Sequence, residues 1–384
     1  MTRGGHLMDA TRLIQAALSG SVTNVAARAM PASPVVARAA NDDANVIDVE
    51  VVEVTPRTAR QADAPVWQPA AEPAVAPADV PRPQDGRFMA DKFVFDGVTY
   101  PYRLYVPSVS RAANPATTTM PLLVLLHGCT QNAADFAAGT AMNGLGDTHG
   151  CMVLYPQQIT SGNAQMCWNW FEPAHQGAER GEPGMIAALT QHILNQPVGH
   201  YTPGAAADPS RVYIAGLSAG GAMAAVVAAR YPTLFSALGV HSGLPSGAAT
   251  NMMSAFKAMG SGAGGTGAAA LPTIVFHGSA DMTVNPANGD SIAKAAVKAI
   301  EAQHAPGRKL VATQDQPGTA NGVKRASRTV YRDASGAPLV EQWSVAAGPH
   351  AWSGGDAAGS YTDPAGPSAS EAMLAFFLQH RKAA

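Results

Sequence analysis

Charge is scarce in this chain of 384 residues: Asp, Glu, Lys and Arg together make up 14%, and they nearly cancel to a net −2. A surface that holds nucleic acid needs clustered lysine and arginine, so no nucleic-acid partner is expected. No apolar run approaches the length that crosses a bilayer, so no membrane span is expected either. Cysteine is rare, with only Cys129, Cys151 and Cys167. Three thiols make no disulfide framework, although one pair could still bridge. The opening MTRGGHLMDATRLIQAALSG lacks the unbroken apolar centre of a secretion signal, because Asp9 and Arg12 interrupt it. The expected location is therefore the cytoplasm.

The chain is long enough to bury one large core or two moderate ones. Residues 1–86 read as an Ala/Pro-rich arm, with a short amphipathic helix near 7–18 and prolines at 65, 69, 73, 77, 81 and 83. Proline at that density forbids regular helix and favours extended, solvated chain, so the arm is expected to be disordered. The alternating VIDVEVVEV from Val46 to Val54 reads as an exposed acidic segment or an isolated strand.

Organisation starts near Phe88, and 87–384 reads as one catalytic domain. KFVFDGVTYPYRLYV carries a hairpin signal at Asp96-Gly97. PLLVLLH, from Pro121 to His127, is the continuous apolar run of a strand covered on both faces. A helix is expected over Asp135–His149, and strands over Cys151–Tyr155, Arg211–Ala215, Ala237–Val240 and Thr273–Phe276. Helices are expected over Met185–Leu194, Ala222–Arg230 and Ser370–His380. Leu244–Leu271 reads as a flap or surface excursion with Met252, Met253, Phe256 and Met259 at helical spacing. Val311–Ser327 reads as a polar connection before a hairpin over Thr329–Val345. Strands alternating with helices imply an α/β fold with a mostly parallel central sheet and helices on both faces.

The chemistry centres on Gly216-Leu217-Ser218-Ala219-Gly220 between a predicted strand and a predicted helix. This G-x-S-x-G pattern sets a serine on a sharp turn, with glycines where a β-carbon would collide with neighbouring backbone. Placement between strand and helix carries the inference, since the alternative is a serine that merely caps the helix. A serine hydroxyl needs a base and a carboxylate to become nucleophilic, in the chain order Ser, Asp, His. Asp281 follows a strand's carboxyl end in HGSAD, whereas Asp290, Asp315 and Asp333 fall at a helix start, a connection and a turn. Of His304, His350 and His380, only His350 sits in a glycine-flanked loop after the last strand. Amides of Ala219 and Cys129 are placed to form an oxyanion hole. His127 reads as structural, and Cys129 lacks the elbow or adjacent cation that would activate it as a nucleophile.

The segments HGCTQNAADFAAGTAMN, CWNWF, GLSAGGAMAAV, FHGSADMTVNP and GPHAWSGGDAAGSYTDPAGP together resemble the esterase family of poly(3-hydroxybutyrate) depolymerases, which has the α/β-hydrolase fold. The resemblance runs from about Arg87 to the C-terminus. It implies Ser218, Asp281 and His350 as a triad, Cys129 and Ala219 around the oxyanion, and no metal or cofactor. The implied partner is an ester substrate: a poly- or oligo(3-hydroxybutyrate)-type or other short-chain ester, cleaved through an acyl-enzyme. Related branches are feruloyl and acetylxylan esterases. Extracellular members carry a secretion signal and often binding modules, which sets an extracellular location beside the cytoplasmic one. A catalytically silent fold that binds polyester granules through the arm, and an acyltransferase, are the rival functions. Trp168 and Trp352 are expected to line a groove for acyl chains. Cys129 and Cys167 both lie in these segments, and in a reducing compartment they are expected to remain thiols.

Overall fold

A computed structural model describes residues 86–108, 118–177, 180–201, 205–303, 309–317 and 325–382. The Ala/Pro-rich arm with its short helix, the VIDVEVVEV segment and His304 lie outside the described residues. The chain enters through a hairpin, β1 (Arg87–Phe95) and β2 (Val98–Val106). Asp96 and Gly97, at φ 48° and 76°, form its two-residue turn, the backbone twist that strand hairpins favour.

In β3 (Thr118–Leu126), Leu122, Val124 and Leu126 enter one hydrophobic cluster, while Leu123 and Leu125 enter another on the opposite face. Strand geometry sends alternate side chains to opposite faces, so an unbroken apolar run needs helices on both. One face carries α3 (Gly181–Leu194), α4 (Ala219–Arg230) and α6 (Ala287–Gln303), which supply Met185, Met223 and Ile292. The other carries α1 (Ala133–Thr140), α2 (Met142–His149) and α7 (Ala369–Phe377), which supply Phe136, Met142 and Met373. The remaining strands of the main sheet are β4 (Met152–Pro156), β5 (Ala205–Leu217), β6 (Ala237–His241), β7 (Thr273–Gly278), β8 (Val311–Asp315), β9 (Ala326–Arg332) and β10 (Pro338–Val345), and Trp352–Ser353 and Thr362–Asp363 pair in a separate two-stranded sheet. Among the described residues a ten-stranded sheet results, in the order β1-β2-β4-β3-β5-β6-β7-β10-β9-β8. The central strands β4, β3, β5, β6, β7 and β10 pair in parallel, while β1, β2 and β4 at one end and β10, β9 and β8 at the other pair antiparallel. This is the α/β-hydrolase architecture.

Several expected elements change. The single helix over Asp135–His149 is two, because Ala141 takes the left-handed conformation at φ 50° and ends the first. The polar connection after Val311 contains a strand, β8, whose five residues are all exposed and which pairs with β9. An exposed edge strand has no buried face, so hydrophobic alternation is missing. Within Leu244–Leu271, α5 (Met252–Ser261) starts at a reciprocal capping box between Asn251 and Ser254. Its end is tied down where Asn285 N donates to Met259 O (2.7 Å) and Asn288 Nδ2 to Ala258 O (2.9 Å).

Candidate active site

Strand β5 ends at Leu217 and α4 begins at Ala219, leaving Ser218 alone at the reversal with φ 57° and ψ −121°. That is sparsely populated backbone for a residue with a β-carbon, held here by its surroundings. Ser218 N donates to His241 O at 2.9 Å. A Cβ on Gly216 would meet Leu126 O at 2.7 Å, and one on Gly220 would overlap Leu126 O and His127 O. Glycine therefore lets the end of β3 and the elbow touch backbone to backbone. Ser218 occupies the N-cap of α4 without making a side-chain capping bond. Its hydroxyl is free for other work, which removes the helix-cap alternative.

That hydroxyl lies 2.8 Å from His350 Nε2, and His350 Nδ1 lies 2.7 Å from Asp281 Oδ2. A carboxylate only accepts, so Nδ1 carries the proton and Nε2 faces the serine as acceptor. The structure thus brings together Ser218, Asp281 and His350, all three buried. Asp281 Oδ1 accepts from Thr283 N (2.9 Å) and Val284 N (2.8 Å), which sets the carboxylate's orientation. Burial opposes its charge, but His350 beside it and hydrogen bonds from His277 and His350 outweigh that, holding its pKa below the ordinary carboxylate value. His277 Nε2 lies 2.9 Å from Val284 O and 3.4 Å from Asp281 Oδ2, so a second imidazole stands behind the carboxylate.

On the other side of Ser218 is the loop His127-Gly128-Cys129 after β3. A Cβ at Gly128 would sit 3.6 Å from Ser218 Cβ, which fixes how closely this loop approaches the hydroxyl. Among the described residues, neither Cys129 N nor Ala219 N has an acceptor. Ala219 N also lies at the positive end of the α4 dipole. His127 Nδ1–H donates to Gly128 O (2.7 Å), and Nε2 accepts from Gln158 N (3.1 Å). With both ring nitrogens engaged and burial pressing its pKa down to about 4, His127 is a neutral structural group.

Three expectations change here. Trp168 and Trp352 do not line a groove; they are 0% and 1% exposed. Trp168 Nε1 donates to His127 O at 3.1 Å and Trp352 Nε1 to Ser370 Oγ at 2.9 Å. A buried indole needs an acceptor, and both find one in the scaffold rather than on a substrate. Cys129 and Cys167 form a disulfide with Cα atoms 4.2 Å apart. The pairing arises because the loop after β3 and the CWNWF segment meet at one point above the sheet.

Other site residues were missed by sequence reasoning. Gln131 belongs to HGCTQ, and its position two residues beyond Cys129 was the available signal. Glu182 is buried and accepts from Asn169 N (2.7 Å), Asn169 Nδ2 (2.6 Å) and Gln158 Nε2 (2.5 Å). Burial raises its pKa against those bonds. A single glutamate between glycine and proline gives no sign of this role in sequence.

A sheet of this order, a strained serine at a strand-to-helix turn and a buried Asp-His-Ser file define an α/β-hydrolase. More narrowly, the chain belongs to the family described as "Esterase PHB depolymerase", which matches residues 100–313. It is 38% identical over 240 residues to poly(3-hydroxyalkanoate) depolymerase C of Paucimonas lemoignei, covering 59% of this chain and 53% of that one. It is 35% identical over 149 residues to acetylxylan esterase A of Emericella nidulans, covering 38% of this chain and 43% of that one. The chain thus spans about half the length of these curated relatives. Among solved structures, an acetyl xylan esterase from Aspergillus awamori superposes with a TM-score of 0.54 at 19% identity, covering 77% of this chain and 99% of that one. At that identity the likeness concerns the fold alone.

Proposed function

We propose that this chain is a serine carboxylic-ester hydrolase working through an acyl-enzyme on short-chain esters of the oligo(3-hydroxybutyrate) type. The carrying observation is the file from Asp281 Oδ2 through His350 to Ser218 Oγ, at 2.7 and 2.8 Å, beside two amides that have no acceptor among the described residues. His350 Nε2 takes the Ser218 proton as Oγ attacks the ester carbonyl. The oxyanion develops against the amides of Cys129 and Ala219, which are oriented before reaction and need no reorganisation. Protonated His350 passes the proton to the departing alcohol, and Asp281 stabilises the imidazolium without taking its proton. Water, deprotonated by His350, then releases the acid by the same steps.

The substrate class is favoured by the family and by the depolymerase relative; acetyl and feruloyl esters are the competing substrates within the same chemistry. The disulfide between Cys129 and Cys167 supports an oxidising compartment. The deciding experiment is Ser218→Ala, assayed on p-nitrophenyl esters, 3-hydroxybutyrate oligomers and methyl ferulate. Turnover should fall by at least ~10³ with the fold intact. Retained turnover would place the nucleophile elsewhere, and exclusive use of methyl ferulate would reassign the substrate.

A further inference from the structure

Resting on the esterase reading above, we propose that Gln131 is a positioning residue that aims the Cys129 amide at the reacting carbonyl and locks its loop to the loop following His350.

The aim of the Cys129 N–H is set by the peptide it shares with Gly128. That unit is planar and trans, so Gly128 C=O and Cys129 N–H point in opposite directions, and fixing one fixes the other. Gly128 O accepts from His127 Nδ1 at 2.7 Å and from Gln131 N at 3.4 Å. The Gln131 side chain holds the other end of the residue: Oε1 accepts from Gly128 N at 2.9 Å. Gln131 therefore grips Gly128 on both sides. Without that grip a glycine is the residue freest to rotate, carrying the Cys129 amide with it.

The far end of the amide reaches the loop that follows His350. Gln131 Nε2 donates to Ser360 O at 2.9 Å and lies 3.2 Å from Ser360 Oγ and 3.1 Å from Asp135 Oδ2. Asp135 closes the clamp, accepting from Ser360 N (2.9 Å) and Ser360 Oγ (2.5 Å). Next to it, the Thr130 and Tyr361 hydroxyls lie 3.1 Å apart, and both residues hold positive φ, 65° and 52°. Tyr361 O in turn accepts from Trp352 N at 2.7 Å, two residues beyond the base. The loops that carry the oxyanion amide and the imidazole are thus joined through a buried carboxamide, with Gln131 and Ser360 229 residues apart in sequence. Only a carboxamide serves, because the position needs an acceptor toward Gly128 and donors toward Ser360 and Asp135 at once.

The test compares the full-length protein with Gln131→Met, of similar shape without the bonds, and Gln131→Glu, which keeps the acceptor and turns a second one on Asp135. Readouts are kcat and KM on a short p-nitrophenyl ester, the inhibition constant of a trifluoromethyl ketone, and thermal unfolding. Ser218 Oγ adds to the ketone's carbonyl carbon while its proton passes to His350 Nε2, which leaves an oxyanion facing the two amides. In both variants kcat should fall roughly 10- to 100-fold with KM nearly unchanged, and ketone affinity should fall by a similar factor. Asp135→Asn, on a partly exposed residue, sets a donor against either Gln131 Nε2 or Ser360 N, whichever way its amide turns, and should give a smaller loss of the same pattern, readable even where Gln131 variants unfold. Unchanged ketone affinity in a cooperatively folded variant overturns the proposal, whatever kcat does. A wild-type protein that neither cleaves esters nor reacts with a fluorophosphonate would instead sink the esterase reading itself.

Discussion

Trp168 donates its indole N–H to the carbonyl oxygen of His127 across 3.1 Å, with the two rings 5.5 Å apart. CWNWF is thus a brace beneath the loop that carries the candidate oxyanion amide, and not a wall of the substrate site. Trp168→Phe keeps most of the ring and leaves a buried carbonyl unpaired, a cost of about 1–3 kcal/mol. Denaturant unfolding should register that loss while KM for a soluble ester stays constant; a raised KM at full stability would return Trp168 to the substrate groove.

Asp281→Asn is the cleanest probe of the carboxylate. The asparagine Oδ1 can still accept from Thr283 N and Val284 N, so the loop should keep its shape. Its amide nitrogen would then face His350 Nδ1 and favour the wrong imidazole tautomer, for a loss of about 10⁴ in kcat. Steady-state kinetics with circular dichroism as the control for folding decide the point.

Gly220→Ala tests whether backbone contact, and not flexibility, explains the second glycine of the elbow. The new methyl would overlap Leu126 O and His127 O, both main chain with no rotamer to yield. Overpacking of this kind costs about 1–3 kcal/mol, and the displaced β3 end should lower kcat as well. Thermal melts and ester turnover should fall together.

Acid should destabilise the protein over a defined window. Burial lowers the pKa of His127 to about 4 and of His241 to about 3, from 6.5. Both are neutral in the fold and gain protons on unfolding, so stability is complete above about 6.5 and is lost as pH falls toward 4. Each contributes a slope of up to about 1.4 kcal/mol per pH unit. Below 3.8 the depressed Asp281 adds a loss of the same sign. The raised Glu182 works the other way above 4.5, where its buried carboxyl resists ionisation. Unfolding free energies at intervals between pH 7 and 4 should therefore decline; a flat profile would mean that these histidines are hydrated in the fold.

Much of this was legible in the chain itself. The elbow is a local pattern, because a turn that tight has few sequence solutions, and the order Ser218, Asp281, His350 follows from strand ends that collect at one edge of a parallel sheet. The central strands are legible as well, since burial on both faces leaves a run of apolar residues without alternation. Strand β8 was not, because pairing at an exposed edge is chosen by backbone hydrogen bonds to β9, and its five residues carry no hydrophobic signature. The break at Ala141 was hidden too, for alanine seldom adopts a left-handed conformation unless its neighbours impose it.

The sequence by itself thus determined the α/β order, the strained serine and the identity of its partners, because each depends on short-range steric rules or on apolar patterning along one segment. The tertiary structure alone decided which way each side chain faces and what it meets there. Trp168 and Trp352 turned inward to satisfy their indoles, Cys129 found Cys167, and Gln131 reached Ser360. Those pairings join residues brought close only when loops from separate strand ends converge, and no local propensity encodes that distance.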